Sequence, residues 1–232
     1  MPLKKRYRMF IIDQHNVNPG SIPDDYFAFW KFDNSKNDET GNYNLSEVTI
    51  GSPSALTFEN GRKGDANGSV RFNNTTTTAR YLRKSVTRRS FNNGLTISIW
   101  IKVNATVPNV NRPIELDYGT NVGTYLNTRN LFSTPANYGE IYSGNVASNT
   151  ISAASLGTNW RHHVVTVNGS GVTNYYIDNS QILTNVNLAK GSIRTILFGF
   201  GTGSAPVNGN IDDCRLYERV LTTDEITALY NE

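Results

Sequence analysis

A chain of 232 residues suffices for one large all-β domain or two small ones. Charged residues make up 18% and hydrophobic ones 38%, which excludes a disordered polyelectrolyte, and no apolar run reaches the length of a membrane-spanning helix. The net charge of +3 is small and much of its excess lies near the start, which argues against a nucleic-acid partner.

In chain order, residues 1–25 read as an N-terminal arm. Lys4, Lys5, Arg6 and Arg8 come first, then Phe10, Ile11 and Ile12, then the hinge-like Pro19-Gly-Ser-Ile-Pro23. That apolar segment is far shorter than a signal-peptide core of about 7–15 residues, so no export signal is expected. From Tyr26 the pattern becomes short β-rich runs between turn residues, including 19 glycines. Phe29-Trp-Lys-Phe-Asp33 reads as a strand, followed by the oxygen-rich turn Asp38-Glu-Thr-Gly-Asn42. Gly61-Arg-Lys-Gly64 leads into Val70-Arg-Phe72. Leu95, Ile97, Ile99 and Ile101 alternate with Thr96, Ser98, Trp100 and Lys102, giving one apolar face with Trp100 adding bulk to the other.

Val103 to Tyr125 is punctuated by Asn and Pro and reads as loops between strands. Trp160-Arg-His-His163, Tyr175-Tyr-Ile-Asp178 and Gly209 to Tyr217 then read as three strands. A side-chain period of two puts Asp212, Cys214 and Leu216 on one core-side face of the last, opposite Ile211, Asp213, Arg215 and Tyr217. A carboxylate on such a face needs hydrogen bonds, a cation or a watery rim. Cys214, the one cysteine, has no disulfide partner and reads as a small buried hydrophobe. Thr222-Thr-Asp-Glu225 is a capping box opening a single short helix, with Ile226, Leu229 and Tyr230 on its inner face.

Taken in order, these segments resemble the laminin G-like branch of the concanavalin A-like lectin/glucanase superfamily, which also includes pentraxin-like domains. The resemblance covers roughly residues 26–231. It implies an all-β fold, a two-sheet antiparallel jelly-roll sandwich over residues 26–232, with one short C-terminal helix and the N-terminal arm in front. It departs at Asn179, where the family's hairpin has Gly; Asn tolerates positive φ, so the turn is expected to form.

Four kinds of site follow from the residues and the resemblance. Ca²⁺ is the expected cofactor: the resemblance brings Asp33, Asp38 and Asn42 near Asp212 and Asp213, and a hard cation wants several oxygen ligands. The alternative is that Asp38 and Asn42 only shape their turn while Asp212 accepts backbone N–H bonds. A glycosidase strand is suggested by Ile114-Glu-Leu-Asp117, but Thr120 and Asn121 stand where an acid/base carboxylate would be needed, so no catalytic residue is assigned. His162 and His163 are strand neighbours pointing to opposite faces and read as structural. Tyr118, Tyr125, Tyr138 and Tyr142, among the asparagines of the middle segment, are candidates to stack on sugar rings.

The expectation is a non-enzymatic structural or binding module on a virion surface, a phage decoration or fibre component with glycans as ligands. The arm would attach many copies to other proteins of a large assembly. A lectin-like fold that usually works outside cells, with no export signal expected, fits release by lysis. The alternatives are a secreted or cell-surface carbohydrate-binding module and, third, a glycoside hydrolase.

Overall fold

The computed structural model describes residues 20–75, 77–103, 112–117, 125–129, 138–143, 146–147, 151–152, 159–187, 191–201 and 205–232. Of these, the strand residues between 125 and 152 and residues 103, 186, 200, 201 and 205 are described as backbone only. Alternating strands stack into two antiparallel sheets, a jelly-roll sandwich with one short C-terminal helix. The first sheet runs Ser180–Asn187, Val172–Ile177, Trp160–Val167, Leu95–Val103, Asn208–Tyr217, Ser69–Asn73, Thr57–Glu59, with Ala28–Trp30 also pairing with Asn208–Tyr217. The second runs Val146–Ala147, Tyr138–Ser143, Tyr125–Arg129, Ile114–Asp117, Ser192–Phe198, Ala79–Ser90, Ser46–Ile50.

The core lies between them. Leu95, Ile97, Ile99 and Ile101 of the first sheet meet Leu82, Ile114, Leu116, Ile196 and Phe198 of the second in one cluster, each of these nine under 4% exposed. Burying one such side chain is worth about 1.5–3 kcal/mol, so this layer dominates stability. The stretch expected to be loops from Val103 to Tyr125 contains the strand Ile114–Asp117, which pairs with Ser192–Phe198. Its Ile and Leu reach the core, a contact that Asn and Pro counting along the chain misses.

The strand Asn208–Tyr217 corrects a second expectation. Asp212 pairs with Trp100 and Arg215 with Ser98, a register shift that makes a β-bulge, and Asp213 has a φ of 42°. The extra residue inverts the alternation. Ile211, Cys214 and Leu216 therefore share the core, and Asp212 joins Arg215 and Tyr217 on the outer face. The bulge also marks a change of neighbour. Residues Asn208 to Ile211 pair with Ser69–Asn73, and Cys214 to Leu216 pair with Ala28–Trp30.

The helix Thr223–Asn231 covers this outer face. Its capping box is complete: Thr222 Oγ1 accepts the Glu225 N–H at 3.3 Å and Glu225 accepts the Thr222 N–H at 2.8 Å. Ile226 and Leu229 pack on Val164, Tyr176, Tyr217 and Leu221. Asp178 and Asn179 adopt φ of 48° and 64°, so the hairpin turns without Gly. At the N-terminal side, Tyr217 Oη donates to the Pro23 carbonyl at 3.1 Å, and both Asp25 oxygens accept from Arg219 at 2.6 and 2.8 Å. The last residues assigned to the arm thus pack on the sandwich, while Lys4, Lys5, Arg6, Arg8, Phe10, Ile11 and Ile12 lie outside the described residues.

Candidate functional site

The outer face of the second sheet is built around Ile114–Asp117. Because Ile114 and Leu116 enter the core, Glu115 and Asp117 take the opposite face. Glu115 is fully buried there, and Arg112, 7% exposed, donates to its Oε2 at 2.8 Å. The ladder then sets what lies alongside. Leu197 is opposite Glu115 and Thr195 opposite Asp117 on one side; Asn127 and Tyr125 are opposite the same two residues on the other, with Tyr142 opposite Asn127. Of the tyrosines expected to meet a sugar, Tyr125 and Tyr142 therefore come into register with the carboxylates, whereas Tyr138 pairs with Ser152 further out. The side chains of these three tyrosines, and Tyr118, Thr120 and Asn121 altogether, lie outside the described residues.

Glycoside hydrolysis needs one carboxylic acid with a proton to give and a second group about 5–9.5 Å away. The Glu115 carboxyl is instead held inside the fold by a buried arginine at 2.8 Å. Arg112 was not singled out from the sequence. Its spacing of three residues from Glu115 was the available signal.

Of the residues expected to bind calcium, Asp38, Asp212 and Asp213 already accept hydrogen bonds within the fold. Asp38 accepts the N–H groups of Phe29, Asn42 and Tyr43 at 2.7, 3.2 and 3.1 Å, together with the Thr40 hydroxyl. The Gly61–Gly64 turn carries Arg62 onto the bulge, where its backbone N–H donates to Asp212 at 2.8 Å and its side chain to Asp213 at 3.0 Å. Asp33 lies close enough to Asp65 and Asp213 that burial first, then those charges, raise its pKa. Burial pushes Asp212 up to about 7, against the Arg62 N–H that favours the anion. Among the described residues, no three His, Cys, Asp or Glu side chains are arranged to hold a metal ion.

The histidines part to opposite faces as expected. His163 Nδ1 meets the Tyr175 hydroxyl at 2.7 Å beneath the sheet, and His162 Nε2 meets Ser98 Oγ at 2.8 Å above it. Above the sheet, Trp100 stacks on His162 at 4.9 Å and on Tyr230 at 5.9 Å, with the Arg62 guanidinium 4.7 Å from the indole. This layer fastens the helix. Burial holds both histidines neutral, lowering them to about 3 and about 4, and pushes the Cys214 thiol up, which makes it inert.

A family profile described as the concanavalin A-like lectin/glucanases superfamily matches residues 73–227, more than half of the 232. No curated protein matches the chain. Among solved structures, domain 4 of AbnA, a GH43 extracellular arabinanase from Geobacillus stearothermophilus in complex with arabinotriose, is similar with a TM-score of 0.69. The two share 18% identity over 88% of this chain and 98% of that one. The binding domain of botulinum neurotoxin serotype D/C gives 0.65 at 17% identity over 90% and 52% of the two chains. The binding domain of Paraclostridial mosquitocidal protein 1 gives 0.63 at 16% over 89% and 51%. This chain spans about half the length of those toxin domains, and at these identities the likeness is one of fold.

Proposed function

The chain belongs to the concanavalin A-like lectin/glucanases superfamily, and from that premise we propose that it is a non-enzymatic glycan-binding module whose ligand lies across the outer face of the second sheet at Ile114–Asp117. The observation that carries this reading is the buried Arg112–Glu115 pair. It ties the Glu of the one strand that resembles a glucanase active strand into a buried ion pair, out of reach of a ligand, and fixes that strand beneath the proposed binding surface. The register of Asp117, Tyr125, Asn127 and Tyr142 beside it, read as residue types along the ladder, supports the combination of aromatic and polar groups that sugar rings require. Arabinotriose bound to the arabinanase domain supports the same class of ligand on this fold.

The module is placed, in this reading, on the outside of a virion or another large assembly, in many copies, through the basic and apolar residues of the arm. Avidity from those copies would compensate for weak single sites. The test is a panel of neutral oligosaccharides, arabinans and β-glucans, assayed for binding and for release of reducing ends. Saturable binding of at least one, weakened about tenfold by Asp117→Ala at unchanged melting temperature, with no release of reducing ends, is the expected outcome. Turnover abolished by Glu115→Gln would make the chain a hydrolase instead.

A further inference from the structure

A second feature of the second sheet stands apart from that face. The strand Ala79–Ser90 outruns its neighbours. Ser46–Ile50 covers it only from Ala79 to Arg83, and Ser192–Phe198 pairs with Leu82 to Ser85 and then with Arg89 and Ser90. Among the described residues, Val86, Thr87 and Arg88 thus have no partner on the Ser46–Ile50 side, and on the other side they fall at a register shift between Ile193 and Thr195. Beside them opens a cleft of about 620 Å³, bordered by Asn42, Tyr43, Lys84, Ser85, Thr87 and Arg88 and lined by no acidic residue.

Of the five cations of this strand, Arg83 lies outside the cleft lining, and the other four divide into two kinds. Arg80 is taken by Glu47 at 2.6 Å, and Arg89 by Glu218 at 2.5 Å and the Tyr43 hydroxyl at 2.6 Å. Arg89 therefore holds the Tyr43 wall in place. Lys84 and Arg88 make no ion pair and no side-chain hydrogen bond among the described residues. Arg88 also lines a second hollow of about 240 Å³, which Phe91, Leu95 and Val167 share.

We propose that this cleft binds the carboxylate or sulfate groups of an acidic glycan, with Lys84 and Arg88 as the anion-recognising residues. This rests on the reading of the chain as a glycan-binding module and names the class of glycan. Two uncommitted cations a few residues apart match a polymer that carries one charge per sugar. Charge-assisted bonds from them are roughly twice as strong as neutral ones. The Ser85 and Thr87 hydroxyls, the Asn42 amide and the free strand edge supply donors and acceptors for ring hydroxyls. The hollow beyond Arg88 offers apolar floor for the next ring. A nucleic acid would ask for a longer track of cations than this pair provides.

The full chain is titrated with polygalacturonate, dextran sulfate and neutral dextran, alongside any neutral glycan held at Ile114–Asp117. Saturable binding of at least one acidic polymer is expected, the two polymers separating carboxylate from sulfate recognition, with none of neutral dextran. The double variant Lys84→Gln, Arg88→Gln should weaken acidic binding at least tenfold at unchanged melting temperature and leave neutral-glycan binding as it was. Asp117→Ala should do the reverse. Loss of acidic binding in the double variant, with no neutral glycan bound by either protein, would sink the Ile114 face and uphold the cleft. The cleft proposal fails if neither acidic polymer binds, or if the double variant binds them as the wild type does. It fails equally if a random single-stranded oligonucleotide or phosphatidylserine vesicles bind as tightly with the same loss.

Discussion

Asp212 sits 4% exposed beside a backbone N–H donor and a second carboxylate, and burial raises it from 3.8 to about 7. Folding therefore favours its protonated form. The stability it contributes is complete below pH 3.8 and is lost as pH rises through about 7. His162 and His163 act in the other direction: lowered from 6.5 to about 3 and about 4, they contribute fully above pH 6.5 and lose that contribution as pH falls. Asp212→Asn keeps an oxygen for the Arg62 N–H and removes the ionisation. Its melting temperature should gain on the wild type by several degrees as pH rises from about 4 to 7, leaving the acid-side fall to the histidines. Thermal melts of both proteins across that range check the sign. A cation at this corner would compete with Arg62 for Asp212 and Asp213, so melting curves in EDTA and in millimolar Ca²⁺ should coincide. A rise of several degrees with Ca²⁺ would establish the bridging ion that the sequence suggests.

At the scale of elements, local grammar was legible and pairing was not. The helix could be read from Thr222 and Glu225 because both halves of its capping box lie three residues apart. The Leu95–Val103 strand could be read because its two faces differ sharply in polarity. The bulge at Asp213 could not, since nothing in Gly209 to Tyr217 says that Trp100 and Ser98 lie opposite Asp212 and Arg215. Likewise the cleft beside Lys84 exists because a neighbouring strand stops, a fact about residues 46–50. Close approach is equally non-local at Gly199. Its φ is +83°, and a Cβ there would meet the Phe72 ring at 2.2 Å, although 127 residues separate them in the chain. Gly199→Ala should cost about 2–4 kcal/mol from overpacking plus a left-handed backbone, measurable by urea unfolding.

Across the whole molecule, the junction between arm and domain falls earlier than the hinge-like sequence implied. Pro23 and Asp25 are fastened to Tyr217 and Arg219, so cutting at residue 25 removes an acceptor from a buried hydroxyl and a partner from Arg219. On the proposed reading of the arm as an anchor, deleting residues 1–19 should leave the melting temperature unchanged and abolish incorporation into an assembly. Deleting residues 1–25 should also lower stability by about 1–3 kcal/mol. A loss of stability in the shorter deletion would assign the arm to the fold.

The bulge where Asn208–Tyr217 changes neighbour also divides the molecule in time. Leu95–Val103 pairs along both halves, but on the other edge the amides on the Ser69 side of Asp213 and those on the Ala28 side are closed by different partner strands. Each group exchanges with solvent when its own partner lifts away, so the strand has two opening events instead of one. A ligand or assembly partner that engages one end would slow exchange on that side of Asp213 and leave the other side's rate where it was, turning the bulge into a reporter of which end of the sandwich is occupied.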